Sequence, residues 1–226
     1  KGPVLSSLRP GELRALLGHE LSHAILYALD GGAFLVAGQV LEAMPGDAGA
    51  DASHVESARL YDLYTEVFAD RGSLLASGNA ADSIAALLKV ETGLAEVSAE
   101  SYLRQADEIF AQGSPRAEQL THPEADIRAR ALSLWESKDE EADPEVARML
   151  EGKPALGALD LTARRNVEEL TRDLVSAYLG PAPFRTESVV GHARRFFPDF
   201  SPSLRSQGDL DRLRGFLETC DGSIAR

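Results

Sequence analysis

Cysteine is almost missing from this chain: Cys220 is the one thiol in 226 residues. A lone cysteine excludes an internal disulfide framework. With no histidine near it in sequence, it reads as a passive thiol rather than a nucleophile. It fits a reducing compartment, so a cytoplasmic location is the expectation. Basic residues are also scarce. Lys and Arg number 23 against 36 Asp and Glu, a formal net charge of −13. A nucleic-acid partner needs a basic footprint, so that class is excluded. No apolar run approaches the roughly eighteen residues of a membrane span, and no transmembrane segment is expected. The sequence also has no internal repeat, no Gly-rich phosphate loop and no low-complexity tract.

What remains is an ordinary globular composition, 44% hydrophobic and 26% charged, with enough chain for one large domain or two small ones. Helical spacing recurs over 80–91, 98–111, 123–137, 144–150 and 162–179, which predicts a mainly α fold. Residues 33–36 fit a strand and 33–43 fit a helix equally well. Trp135, at the end of one predicted helix, reads as a core anchor.

One short segment carries specific chemistry: His19-Glu20-Leu21-Ser22-His23. Residues four apart on a helix lie on one face, so two imidazoles at this spacing can grip a single Zn²⁺. The Glu between them is placed to take a proton from the zinc-bound water. Pro10 and Glu12 suit a helix start, and Gly31-Gly32 suits its end. Leu13, Leu16, Leu17, Leu21, Ala24, Ile25 and Leu29 form an apolar stripe, which predicts a mostly buried helix of about twenty residues. The plainer reading is two core histidines beside a solvated Glu20.

A catalytic zinc needs a third protein ligand and an open position. Glu66 offers the ligand. It lies on a second predicted helix, with Leu60, Leu63, Val67 and Leu74 along one face. Asp70, one turn on, is placed to accept the free N–H of a ligand histidine. The competing reading is an ordinary acidic surface.

These motifs, followed by Thr121-His122-Pro123-Glu124-Ala125-Asp126-Ile127-Arg128, resemble metallopeptidase family 48 of the gluzincins, which includes the CAAX prenyl proteases and HtpX. The resemblance covers about residues 10–135, in matching order. Ser22 stands where many members have Gly, and being small it should still permit close approach by a neighbouring element. The resemblance implies a zincin-like helical metallopeptidase domain, with any small β-sheet mostly upstream. It implies zinc on His19, His23 and Glu66, Glu20 as general base, and supporting roles for Asp70 and Arg128. His122 has two readings: a latch on the zinc or an oxyanion donor, against a loop tie in which Thr121 caps the helix starting at Pro123. Tyr61, Tyr64, His122 and Arg128 are all candidates for oxyanion stabilisation, and the sequence does not rank them.

The expected activity is zinc-dependent endopeptidase hydrolysis of a peptide or protein substrate. The alternative is a zinc-binding pseudoprotease acting as a partner-binding helical module; a metal-free interaction module is a third. Zincins usually hold substrate on an edge strand before the zinc helix. Here nine residues precede Pro10 and the first residue is Lys1, so a fragment, a processed product or the ordered part of a longer protein is expected, with an upstream domain or a second chain as the candidate contact. The domains expected are a metallopeptidase domain over 1–138 and a helical C-terminal region over 139–226. Glu136, Asp139, Glu140, Glu141, Asp143 and Glu145 read as a solvated linker, and calcium binding is disfavoured because the Gly-centred spacing of an EF-hand loop is missing. Arg194-Arg195-Phe196-Phe197 reads as a packed helix end, with a docking surface as the alternative. His54 and His192 read as surface or capping residues.

Overall fold

In the computed structural model, residues 2–44, 49–113, 116–118, 121–138, 140–153 and 155–201 are described, with 211, 212, 214, 215 and 218. The fold is mainly α, and no strand occurs among the described residues. The helices are α1 (Gly2–Ser7), α2 (Pro10–Ala28), α3 (Ala33–Ala43), α4 (Ala52–Ser77), α5 (Ala80–Thr92), α6 (Ala99–Gln112), α7 (Ala125–Glu136), α8 (Ala142–Glu151), α9 (Leu161–Tyr178) and α10 (Glu187–Ala193). Cys220 and Asp139 lie outside the described residues.

Polar side chains start several helices. Asn79, Ser98, Asp160 and Thr186 each accept a backbone N–H at the head of α5, α6, α9 and α10. At α2, Pro10 occupies the first turn and Glu12 accepts the Arg9 backbone N–H at 2.7 Å. Glu12 is buried, and its charge is met by buried Lys89 at 2.8 Å. Lys89 also donates to the Ser7 carbonyl at 2.9 Å, tying α5 to the entry of α2.

The chain divides into two compact units, 1–50 with 57–152 and 51–56 with 153–226. In the first, one apolar cluster joins Leu63 and Val67 of α4 to Ile127 and Ala131 of α7 and to Val146, Met149 and Leu150 of α8. A second joins Ile84 and Leu88 of α5 to Ala129 and Leu132 of α7. Trp135 is partly buried against the first cluster and donates its Nε1–H to Asp143 at 2.8 Å. The part of the acidic stretch from 140 on is therefore not a solvated linker: Ala142, Val146, Met149 and Leu150 anchor α8 in the first unit, while Glu140, Glu141 and Asp143 are exposed. This unit runs fourteen residues past the expected boundary at 138.

In the second unit Leu179, Ala193 and Phe200 form the core, with Phe197 packed on it and Phe196 exposed. Arg194 donates to the Phe200 carbonyl, and Arg172 lies 4.9 Å over the Phe197 ring. The Arg-Arg-Phe-Phe segment is thus half core and half surface. His54 accepts the Asp51 backbone N–H at the head of α4, and His192 meets Phe196 edge-on.

One expectation for the first unit fails. Helix α2 is not mostly buried: Leu17, Leu21 and Ile25 are over half exposed, and the buried face is Gly11, Glu12, Ala15, Gly18, Ser22 and Leu26. Small residues go inward because α4 comes very close. A Cβ on Gly18 would lie 2.4 Å from the Ala76 Cβ, and one on Gly72 would lie 1.7 Å from the Ser22 Oγ. Ser22 settles its hydroxyl on the Gly18 carbonyl at 2.7 Å. Residues 10–43 taken together are long and apolar enough, by length and composition alone, to cross a membrane. Few charges interrupt them, although no uninterrupted apolar run there reaches eighteen residues. The backbone divides this stretch, because Asp30 (φ 48°) and Gly31 (φ 66°) are left-handed between α2 and α3. The 33–43 segment is helix, not strand.

Candidate metal centre

The close crossing of α2 and α4 brings the motif residues face to face. His19 and His23, one turn apart on α2, point their Nε2 atoms at Glu66 on α4. The two Nε2 atoms are 3.2 Å apart. His19 Nε2 lies 3.6 Å from Glu66 Oε2, and His23 Nε2 lies 3.5 Å from Glu66 Oε1. Tetrahedral zinc with ligands at about 2.0–2.2 Å has ligand–ligand edges of about 3.3–3.6 Å, so the three atoms match one face of such a site. Among the described residues these three are the one group of His, Cys, Asp and Glu placed to hold a metal ion. The acidic residues around Pro144 make no such group among those described.

The surroundings favour the protonation states that a metal needs. Burial disfavours the imidazolium of His23 and, helped by the charge of His19, outweighs the pull of Glu66, so its pKa lies below 6.5. A neutral imidazole is the ligand form. His19 Nδ1 lies 3.1 Å from Asp70 Oδ1, an arrangement that turns its Nε2 lone pair toward the centre. Burial alone would raise the Asp70 pKa. The buried Arg128 overrides it, donating from Nε at 2.7 Å and Nη2 at 2.6 Å, and His19 adds to the effect, so the carboxyl stays below its ordinary range. Arg128 Nη2 also reaches within 3.5 Å of Glu66 Oε2, the oxygen that faces His19. His23 Nδ1 is buried with no hydrogen-bond partner among the described residues. Its ring stacks on Tyr27 at 6.2 Å instead.

Glu20 lines the same cavity of about 610 Å³ as His19, His23 and Glu66, as do His122 and Arg128. His122 Nε2 lies 3.5 Å from Glu66 Oε1, but the ring is more than half exposed and is not one of the three converging groups. Thr121 does not cap α7, which begins at Ala125; its hydroxyl lies 2.9 Å from His122 Nδ1. The four oxyanion candidates separate. Tyr64 donates to the Glu151 carboxylate and Tyr61 to the Phe34 carbonyl. Arg128 is bound to Asp70. His122 and Arg128 line the cavity, and of the two only the His122 side chain is exposed.

Two carboxylates near the centre carried no motif. Glu91, at the end of α5, lies 3.7 Å from Arg128 Nη1, and burial holds its pKa above the ordinary range despite that cation. No sequence spacing links it to the motifs. Asp62 does carry a local signal: it lies four residues before Glu66, as Glu66 lies four before Asp70, on the same helical face. Comparison with protein-family models, curated proteins and solved structures finds no match to the chain.

Proposed function

We propose that the chain is a zinc-dependent endopeptidase with a zincin-like centre. One observation carries this reading: His19 Nε2, His23 Nε2 and the Glu66 carboxylate converge at 3.2–3.6 Å beside a cavity that Glu20 also lines. Three ligands of this type leave one corner of a tetrahedron for reacting groups, the pattern of catalytic rather than structural zinc. Zinc held there would polarise a scissile carbonyl and lower the pKa of a water to about 7.

The chain's own residues supply the rest. Glu20, exposed to the cavity, takes the water's proton and delivers it to the leaving amine. His122, oriented by Thr121, offers a donor to the developing oxyanion. Asp70 and Arg128 hold His19 and Glu66 in place. The Glu20→Gln variant tests the reading. It should bind zinc as the wild type does and lose peptide hydrolysis by at least about 100-fold. Normal cleavage by this variant would remove Glu20 from the base role.

A pseudoprotease that binds a partner has support from a different observation, the exposed apolar face of Leu17, Leu21 and Ile25 on α2. Chelator-sensitive cleavage of an unstructured protein by the zinc-loaded chain decides between the two.

A further inference from the structure

A second cavity of about 440 Å³ opens between α3 and α4, and it shares Glu66 and His122 with the cavity of the metal centre. Its walls combine aromatic rings with two carboxylates. Tyr27 and Tyr61 supply the rings, Glu42 and Asp62 the charge. Neither carboxylate is paired with a Lys or Arg among the described residues, and no Lys or Arg occurs between Arg14 and Arg59 in the sequence. Burial, and then the charge of Glu42, raise the pKa of Asp62 over the opposing pull of His122. Gly38 keeps the wall thin: a Cβ there would lie 2.8 Å from the Tyr61 hydroxyl.

We infer that this cavity is a substrate subsite for a Lys or Arg side chain next to the scissile bond, with Asp62 and Glu42 receiving the cation. The inference rests on the peptidase reading above and names its substrate class. Contiguity through Glu66 places the cavity beside a peptide bond bound at the centre. A basic side chain suits both kinds of wall. Its aliphatic stem packs on the tyrosine rings while its head meets the carboxylates. An acidic side chain would add a third negative charge to the pair, so Asp and Glu should be excluded.

The experiment uses the full zinc-loaded chain and a peptide series that varies one position among Lys, Arg, norleucine and Glu. Cleavage sites are mapped by mass spectrometry. The expected result is cleavage next to Lys or Arg with kcat/KM about tenfold or more above norleucine, and none next to Glu. In Asp62→Asn the Lys-to-norleucine ratio should fall about tenfold, and in Glu42→Lys cleavage next to Glu should appear. Binding of the Lys and norleucine peptides to zinc-loaded Glu20→Gln, by calorimetry, reads the same preference without turnover. Cleavage with no basic preference, or a ratio unchanged in Asp62→Asn, overturns the subsite and leaves the peptidase standing. No cleavage of any peptide by the zinc-loaded wild type overturns the peptidase, and the subsite with it.

Discussion

Replacing Gly18 with Ala tests whether the close α2–α4 crossing sets the spacing of the metal ligands. The added Cβ would stand 2.4 Å from the Ala76 Cβ and 2.8 Å from the Gly72 carbonyl oxygen, where ordinary contact begins at 3.4 Å. The Gly72 oxygen belongs to the backbone and cannot swing aside, so the helices must part by about 1 Å. Two effects compete. Ala favours a helix over Gly by about 1 kcal/mol, while overpacking costs about 1–3 kcal/mol. The net expectation is destabilisation of up to about 2 kcal/mol, read by urea unfolding of the metal-free chain. Stability alone is not the decisive signal. Parting the helices by that much carries His19 away from Glu66, from 3.6 Å to well beyond the about 3.3–3.6 Å edge that zinc accepts. Zinc affinity should fall by at least about tenfold. Gly191→Ala on α10 is the control, because its Cβ would meet nothing within 4 Å. If Gly18→Ala is as stable as that control and binds zinc as the wild type does, the crossing does not position the ligands.

Other perturbations address the supports of the site. Asp70→Asn should weaken zinc by about 10–100-fold in a competition titration, since it disturbs the partner of His19. It also leaves Arg128 buried without its full counter-charge, at a cost of about 3–5 kcal/mol in urea unfolding. Because the folded pKa of Asp70 lies below its unfolded value, its contribution is present above about pH 4 and is lost as pH falls through the folded pKa. Wild type should therefore lose more stability than Asp70→Asn on acidification, and parallel curves would contradict this. At the far end of α2, Lys89→Met should cost about 3–5 kcal/mol by stranding buried Glu12, and Lys89→Met with Glu12→Leu should recover most of it. A double variant no more stable than the single one would show that the pair is not the source of the cost.

The pairing of the candidate site residues was legible because helical spacing is a local rule. His19 with His23, and Glu66 with Asp70, share a face whatever surrounds them. The helix positions were legible for the same reason, and Asn79, Ser98 and Asp160 mark their starts. The burial of α2 was not. Periodicity identifies an apolar stripe but not what covers it, and at Leu17, Leu21 and Ile25 nothing among the described residues does. The inward face depends instead on Gly18 and Ser22 meeting Gly72 and Ala76, a match between helices some fifty residues apart that no local pattern records. The acidic run misled in the opposite direction. Its charges dominate the composition, while Val146, Met149 and Leu150 decide where α8 packs. Glu91 reaches the site only through the packing of α5, so its role waited for the fold.

The most direct test of the central claim is a competitive zinc titration of the metal-free chain beside His23→Ala and Glu66→Ala. The account predicts one tightly held ion per chain in the wild type and a loss of about 100-fold or more in affinity in each variant. A wild type that binds no zinc, or variants that bind it equally well, would contradict a metal centre at His19, His23 and Glu66.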